Sequence, residues 1–273
     1  MKLSPEKIRA FRTCVSVFYK KNRRALPWRD THRAYDIFIS EMMLQQTQVD
    51  RVLKKYTPFL KKFPSFSSLK NAPVSEVLAA WSGLGYNRRA LYLKKTATRI
   101  VEKYGGRLPF ERHILETFPG IGRGTSGALS AFVFNAPVVF VETNIRRVFI
   151  HYFFRNTKRK IAETEILDLV EKTLDKKNPR EWYYALMDYG SWLGKNNREN
   201  PNRKSAVYKK QSVFRGSERE LRGRILRYAI TRGGRMNISA CARHINSDES
   251  SVRRMYAVMK KEGFFGHHTE KSE

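Results

Sequence analysis

The spacing of apolar residues constrains this chain most. They return every third or fourth position almost from end to end, while the strict alternation of a half-buried strand is scarce. Val49, Val52, Leu53, Tyr56, Phe59, Leu60 and Phe63 form one such face. Leu91, Ala97, Ile100, Val101 and Tyr104 form a second, and Ile145, Val148, Phe149 and Tyr152 a third. Helix-stopping groups separate them: Phe63-Pro64, Gly83-Leu84-Gly85, Gly105-Gly106 and Pro119-Gly120. The pattern predicts a mostly α protein of about ten short helices joined by tight turns. With 273 residues, 17 Phe and 13 Tyr, the chain can bury one large core or two smaller ones.

The texture changes near Gly194, where residues 194–204 are polar and basic and read as an exposed loop. Beyond it, Ser217 and Glu220 predict a capping box opening a helix over 218–231. A short helix over 239–245 follows, then one over 250–262 capped by Ser247-Asp248-Glu249 and carrying Arg253, Arg254, Lys260 and Lys261. Three helices in so short a span fit a small helix-turn-helix or winged-helix module, with a helical cap over the main domain as the alternative. The expected organisation is a main domain over 1–212 and this module over 213–273.

Lys and Arg number 54 against 25 Asp and Glu, and the net charge of +29 runs through the whole chain. Such a surface attracts a polyanion and favours a structured phosphate-binding face; a generally basic or ribosome-associated protein is the alternative. Two cysteines, Cys14 and Cys241, cannot build a disulfide framework or a four-thiolate metal centre, so no metal site is expected. The first residues carry no apolar stretch after their charges, and no run of eighteen apolar residues exists. The expectation is a soluble cytoplasmic monomer with no membrane partner, associated with the nucleoid in a bacterium or archaeon.

Against that charge, the segment from Ser40 to Val49 stands out. It sets a lone carboxylate, Glu41, beside the amides Gln45, Gln46 and Gln48. An acid inside a basic surface suggests a place where a nucleic acid is gripped and a proton delivered to it. A second segment, Leu115 to Leu129, has its own logic. An apolar helix ends at Pro119-Gly120, glycines permit a tight reversal, and a second helix opens near Thr125. Unpaired N–H groups at such a helix start form a phosphate cradle, here from Gly120, Gly122, Arg123, Gly124 and Thr125. An ordinary helix–helix connection is the alternative.

The run Leu115-x-x-Phe118-Pro119-Gly120-Ile121-Gly122-x-x-Thr125 resembles the helix-hairpin-helix motif of the base-excision DNA glycosylases. Four further groups, in order and spacing, resemble the MutY-type adenine glycosylases. They are Leu26-Pro27-Trp28-Arg29, Glu41 with Met43 to Val49, Trp81-x-Gly83-Leu84-Gly85-Tyr86, and Asn144-x-x-Arg147-Val148 with Met187-Asp188-x-Gly190. The resemblance covers roughly residues 8–193. It implies a two-lobed helix-hairpin-helix glycosylase fold acting on double-stranded DNA that contains a mismatch or an oxidised guanine. A base flipped into a pocket between the lobes would be released by N-glycosidic cleavage.

That chemistry asks for two carboxyl groups, as glycoside hydrolysis does. One protonates the departing purine, because an adenine anion leaves poorly; the other steadies the cationic sugar. The resemblance gives the first role to Glu41, whose neighbours Met42, Met43 and Leu44 offer apolar surroundings that raise a carboxyl pKa. It gives the second to Glu142, with Asn144 beside it, where the family usually has the shorter aspartate. A displacement of ~1 Å in a catalytic group costs on the order of a hundredfold in rate, so a slow enzyme is one expectation. A helix N-terminal acid favoured by the dipole is the other.

The resemblance further implies that Gln45, Gln46 and Thr47 handle DNA, with Gln46 filling the space vacated by the base. Tyr86 would wedge beside the opposing base, with an ordinary core aromatic as the alternative. Trp28 and Arg29 would pack on and hydrogen-bond the extruded base, and Asp188 would contact it or brace the pocket. Several positions depart from the family. Gly124 stands where bifunctional relatives place a lysine nucleophile, which predicts a monofunctional enzyme without lyase activity. Tyr184 stands where adenine glycosylases often have glutamine. The four cysteines that would hold an iron–sulfur cluster correspond to about Gly194, Pro201, Lys204 and Lys210. The expectation is therefore no cluster and no cofactor beyond a monovalent cation that the hairpin carbonyls could hold. Some sixty residues after Phe214 are too few for the family's β-rich 8-oxoguanine-reading domain, which is expected to be absent.

The function expected from all this is hydrolysis of adenine mispaired with 8-oxoguanine or guanine. Two alternatives stay open: a thymine or uracil mismatch glycosylase on the same scaffold, and a DNA-binding protein without catalysis.

Overall fold

The computed structural model describes residues 3–265. In chain order its helices are α1 (Pro5–Asn22), α2 (Ala34–Leu44), α3 (Val49–Lys62), α4 (Phe66–Asn71), α5 (Val74–Trp81), α6 (Arg88–Tyr104) and α7 (Arg112–Glu116). There follow α8 (Arg123–Phe134), α9 (Thr143–Phe153), α10 (Glu163–Thr173), α11 (Pro179–Asn196), α12 (Glu218–Ile230), α13 (Ile238–His244) and α14 (Glu249–Glu262). Two single 3-10 turns lie at Pro27–Arg29 and Pro201–Lys204. Among the described residues extended pairing is confined to one isolated bridge between Ile161 and Ser205. The mostly helical expectation therefore holds.

The chain divides into two compact units, each assembled from separated stretches. The first takes the residues up to Arg33, Phe110–Thr117 and Ile121–Lys210. Its α1 starts where Ser4 accepts a hydrogen bond from the Lys7 amide and Pro5 supplies a preset φ. The face that α1 buries centres on Phe11, whose ring lies 5.1 Å from Phe149 of α9 and 5.9 Å from Trp182 of α11. Full burial of one such aromatic contributes about 1.5–3 kcal/mol. Helices α9 and α11 pack tightly at Gly190, where any β-carbon would run into the Asn144 carbonyl.

The second unit takes Ala34–Pro109, Phe118–Gly120 and the chain from Gln211 to the last described residue. In α3 the predicted face is realised by Val52, Tyr56 and Phe59, with Phe63 just beyond, while Leu53 is left exposed. Pro58 sits inside α3 without ending it. A reciprocal Ser65–Ser68 cap opens α4, and Gly105 in the left-handed conformation closes α6.

The C-terminal helices belong to this second unit. Ser217, Asn237 and Asp248 each cap the helix that follows with a side-chain oxygen. Glu220 reaches back one residue further than a standard box, to the Gly216 amide at 2.6 Å. Ile225, Tyr228, Cys241, Val252, Met255 and Met259 form the small core. The helix-turn-helix or winged-helix expectation is met as far as three helices. No strand that would make a wing occurs among the described residues. Instead Gly233 and Gly234, both at positive φ, end α12 with the Gly234 amide on the Ala229 carbonyl. Glu262 fastens the module to the rest of its unit, accepting from Arg222 of α12 and from Arg88 at the start of α6. Burial pushes the Glu262 carboxyl up, but these two guanidiniums outweigh it and hold it below the usual carboxylate range.

Candidate active site and nucleic-acid interface

Helix α2 is enclosed nearly all round. Tyr35 to Ser40, Met42 and Met43 are buried, and Glu41, like Ala34 and Leu44 at the two ends, is half-buried. The apolar flank predicted for this acid is present in Met42 and Met43, both fully buried. Immediately beyond the helix the backbone reverses: Gln46 is exposed and takes a left-handed φ of 53°, uncommon for a residue with a β-carbon. Gln45 turns the other way and donates to the Gly120 carbonyl at 2.9 Å. It therefore ties the end of the Glu41 helix to the hairpin turn.

Thr47 is tied to a second turn. Its hydroxyl meets the Leu84 carbonyl at 3.1 Å, in the reversal that leads to Tyr86. Tyr86 itself has φ 47° and exposes 36% of its surface. One residue that the sequence reading missed holds both turns, and it is Arg89. Its buried guanidinium donates to the carbonyls of Met42 (2.8 Å), Met43 (2.9 Å), Leu84 (3.3 Å) and Gly85 (3.0 Å), and to the Thr47 hydroxyl (2.8 Å). Burial brings its pKa down to about 10, so it is still a cation at neutral pH. A signal was present: Arg88 and Arg89 open α6, where the helix dipole disfavours positive charge, so they need another reason to be there.

The hairpin runs from α7 to α8. Helix α7 ends at Glu116 and α8 begins at Arg123, so the turn both begins and ends earlier in the chain than the expected Pro119-Gly120 stop and Thr125 start. Gly120 needs its hydrogen side chain twice over. Its φ is 79°, and a β-carbon there would lie 2.8 Å from the Tyr92 ring. Gly122 is the N-cap of α8 and offers no side chain to the first amides of that helix. Gly120, Gly122 and Arg123 are exposed, as a phosphate cradle requires, and Gly124 and Thr125 lie in the first turn of α8, half-buried. A side chain at Gly124 would meet nothing nearer than the Val141 carbonyl at 3.7 Å.

In the first unit Glu142 is the N-cap of α9. One oxygen accepts from the amides of Asn144 (2.7 Å) and Ile145 (2.8 Å), and the other from the Asn144 side chain (3.2 Å). Burial pushes the carboxyl pKa up, against the pull of those two amides and of the Arg146 and Arg147 charges. The residue keeps part of its surface exposed, so the desolvation acts on the capping carboxyl and not on the whole side chain. The capping alternative is thus realised in the geometry, with the Glu142 carboxyl folded back over its own helix start. Asn144 also accepts from Arg147 (2.9 Å), which donates in addition to the Gly190 carbonyl (2.6 Å).

Asp188 is buried and receives four donors. The Arg29 fork gives two at 2.8 Å, and Arg24 gives its amide at 3.0 Å and its Nε at 2.5 Å. Burial raises the Asp188 pKa and the Arg29 and Arg24 contacts lower it; the net direction is down. With its oxygens so engaged Asp188 acts as a brace. The Arg29 guanidinium lies 4.5 Å over the Tyr184 ring, which in turn stacks on Phe132 at 4.5 Å. Trp28, next to Arg29 in sequence, is likewise buried.

At the places implied for cluster cysteines, the chain is held by its own polar groups. Lys204 donates to the carbonyls of Phe154 and Arg155, Asn202 to Thr143 at 3.0 Å, and the Ile161 amide to Lys204 at 2.8 Å. An ammonium group pointed at carbonyls does not fit a thiolate-bound cluster.

Residues 39–172 match the family model described as HhH-GPD superfamily base excision DNA repair protein. The adenine DNA glycosylase of Buchnera aphidicola subsp. Baizongia pistaciae is 35% identical over 183 residues, 67% of this chain and 52% of that protein. The adenine DNA glycosylase of Mus musculus is 31% identical over 247 residues, 86% of this chain and 46% of that protein. This chain thus spans about half the length of either. Among solved structures, a thermostable thymine-DNA glycosylase superimposes with a TM-score of 0.63 at 28% identity, covering 74% of this chain and 93% of the other. The chain belongs to the HhH-GPD superfamily of base excision DNA repair proteins, and its helical fold is the one that family shares.

Proposed function

We propose that this protein is a monofunctional DNA glycosylase that hydrolyses the N-glycosidic bond of adenine mispaired with 8-oxoguanine or guanine. One observation carries the reading. The helix that presents Glu41 ends in an amide, Gln45, that grips the hairpin turn. The acid and the Gly120 corner of the hairpin are therefore held together within one unit. The similarity to named adenine DNA glycosylases supports the choice of base.

In this mechanism the Glu41 carboxyl gives its proton to the purine as the glycosidic bond breaks, and the bonding pair leaves with the base. The Glu142 carboxylate faces the developing sugar cation, whose charge adds to the pull of its capping amides and keeps it ionised. Water then attacks the sugar carbon and returns a proton to Glu41. Gln46 and Tyr86, held in exposed left-handed turns, replace the lost stacking and pairing. With glycine at position 124 no amine reaches the sugar from there, which supports base release without strand cleavage. The enzyme works without an iron–sulfur cluster; a monovalent cation, were one bound, would be held by backbone carbonyls of the hairpin turn.

A second reading has a specific observation behind it. Tyr184 fills the place of the usual glutamine with a ring clamped between Arg29 and Phe132, and the superimposed relative is a thymine-DNA glycosylase. An oligonucleotide panel of mispairs decides between them. The expected result is adenine release opposite 8-oxoguanine and guanine, revealed by alkali and absent from untreated samples. Release of thymine or uracil with adenine left intact would replace the first reading by the second. Glu41→Gln should abolish release and keep binding; undiminished release by that variant would remove Glu41 from the mechanism, and a native protein that binds but releases no base would be a DNA-binding protein only.

A further inference from the structure

Tyr86 does not stand alone at its turn. Its hydroxyl is shared by two groups from the C-terminal stretch of the same unit: Arg219 at 3.0 Å, on the first turn of α12, and the side-chain amide of Gln211. The Arg219 guanidinium lies 5.9 Å from the Tyr86 ring centroid, and Arg89 lies 5.8 Å from it. The other Arg219 nitrogen closes the intervening loop, donating to the Ser212 carbonyl (2.8 Å) and hydroxyl (3.0 Å). That loop carries Val213 and Phe214, 78% and 59% exposed. The arginine–glutamate lock through Glu262 fixes α12 and α14 to the start of α6, two residues from Tyr86. The result is a cluster of guanidinium, amide and hydroxyl groups placed around the Tyr86 ring, with the nearby acid Glu262 already engaged by Arg88 and Arg222.

We infer that Arg219 and Gln211 read the base left unpaired on the opposite strand, so that the C-terminal module is the specificity element of the enzyme. The inference rests on the proposed glycosylase reading, in which Tyr86 stands beside that base. The chemistry selects a guanine-type purine. Guanine presents O6 and N7 as adjacent acceptors, the pair that an arginine fork matches, and 8-oxoguanine adds a further carbonyl oxygen. Cytosine and adenine would turn an exocyclic amine toward the same donors. The Ser212 and Tyr86 oxygens now occupied by Arg219 hold its fork in place until a base edge takes over. Phe214, on the same loop, is placed to stack on a neighbouring base.

The test separates binding from excision. Duplexes carrying a tetrahydrofuran abasic analogue opposite 8-oxoguanine, guanine or cytosine are titrated with the full protein at one salt concentration. The wild type should prefer the two guanine-type partners over cytosine by about tenfold or more, within the range expected of one bidentate contact. Arg219→Ala should bring that ratio close to one, and Arg219→Lys should do the same because it keeps the charge and loses the fork. Gln211→Ala, in an exposed loop, should reduce the ratio several-fold without touching a helix. Melting curves check that each variant is folded. A wild type without preference, or variants that keep it, would overturn the inference. So would equal weakening on all three duplexes, which is the mark of a phosphate contact. Adenine release is assayed in parallel: an Arg219-dependent preference in a protein that releases no adenine would sink the adenine reading and leave this one standing.

Discussion

Each unit of the molecule buries an arginine, and the two are held in opposite ways. Arg29, 7% exposed, meets a carboxylate in a two-pronged contact with Asp188. Arg89, 6% exposed, meets no acid; it is surrounded by four backbone carbonyls and a hydroxyl. Two of those carbonyls lie in the last turn of α2, where the helix dipole welcomes a cation. The first arrangement ties side chains of the same unit together around one shared carboxylate. The second fixes the main-chain course of two loops, one presenting Gln46 and the other Tyr86. A paired charge gives rigidity through its partner, whereas a carbonyl-bound charge gives shape to backbone that has no regular structure of its own.

Removing the acid should produce the larger effect. Asp188→Asn leaves Arg29 and Arg24 without their counter-charge and should cost about 3–5 kcal/mol, as removal of one buried partner generally does. Thermal melting should then fall by roughly 10 °C for a chain of this size. The double change Arg29→Met with Asp188→Leu should recover most of that loss, and failure to recover would show the cluster to be more than a charge pair. Arg89→Met should cost less, about 2–3 kcal/mol, because the freed carbonyls of the loops can turn to water. Its base-release rate in the folded protein should nevertheless fall further than that of the double variant. Equal rates for the two would dissolve the functional side of the contrast.

The acid limb of stability offers a milder test. Asp188 titrates in the fold below its unfolded value of about 3.9. Its contribution is therefore complete above that pH and is lost as pH falls through the folded pKa. Asp188→Asn should flatten the stability curve below about pH 4, and Arg89→Met should leave that limb unchanged. Smallest of all is Gly124→Ala, which has room beside Val141 and should gain about 0.4–1 kcal/mol in a denaturant titration. A loss there would mean that the start of α8 tolerates a methyl group no better than Gly127 does, where Phe140 leaves no space for one.

The helices themselves were legible, because each carries its own apolar period and its own stops. The faces of α3 and α9 came through with Leu53 and Tyr152 as the outliers, both placed on the rim of a stripe. The caps at Ser217 and Asp248 were readable for the same local reason. Glu41, Gln45, Gln46 and Tyr86 could be singled out because their spacing is a pattern along the chain. What the sequence hid depends on contacts distant in the chain. The Arg89 strap joins residues more than forty positions apart, and the Asp188 cluster joins residues about 160 apart. Nor does any local signal tell that residues from Gln211 onward pack with the stretch that starts at Ala34. The missing wing has a simpler cause: a run of arginines and glycines after α12 is equally compatible with a hairpin and with a plain loop.

Where α11 crosses α9, the side chain of Gly190 is all that separates one helix from the Asn144 carbonyl of the other. A substituted residue there would wedge the two rods apart at the point where Arg147 bridges them and, one step upstream, where the Glu142 carboxyl is seated. Position 190 is thus a spacer of fixed thickness, and a mutation in it would mistune a proposed catalytic group without ever coming near a nucleotide.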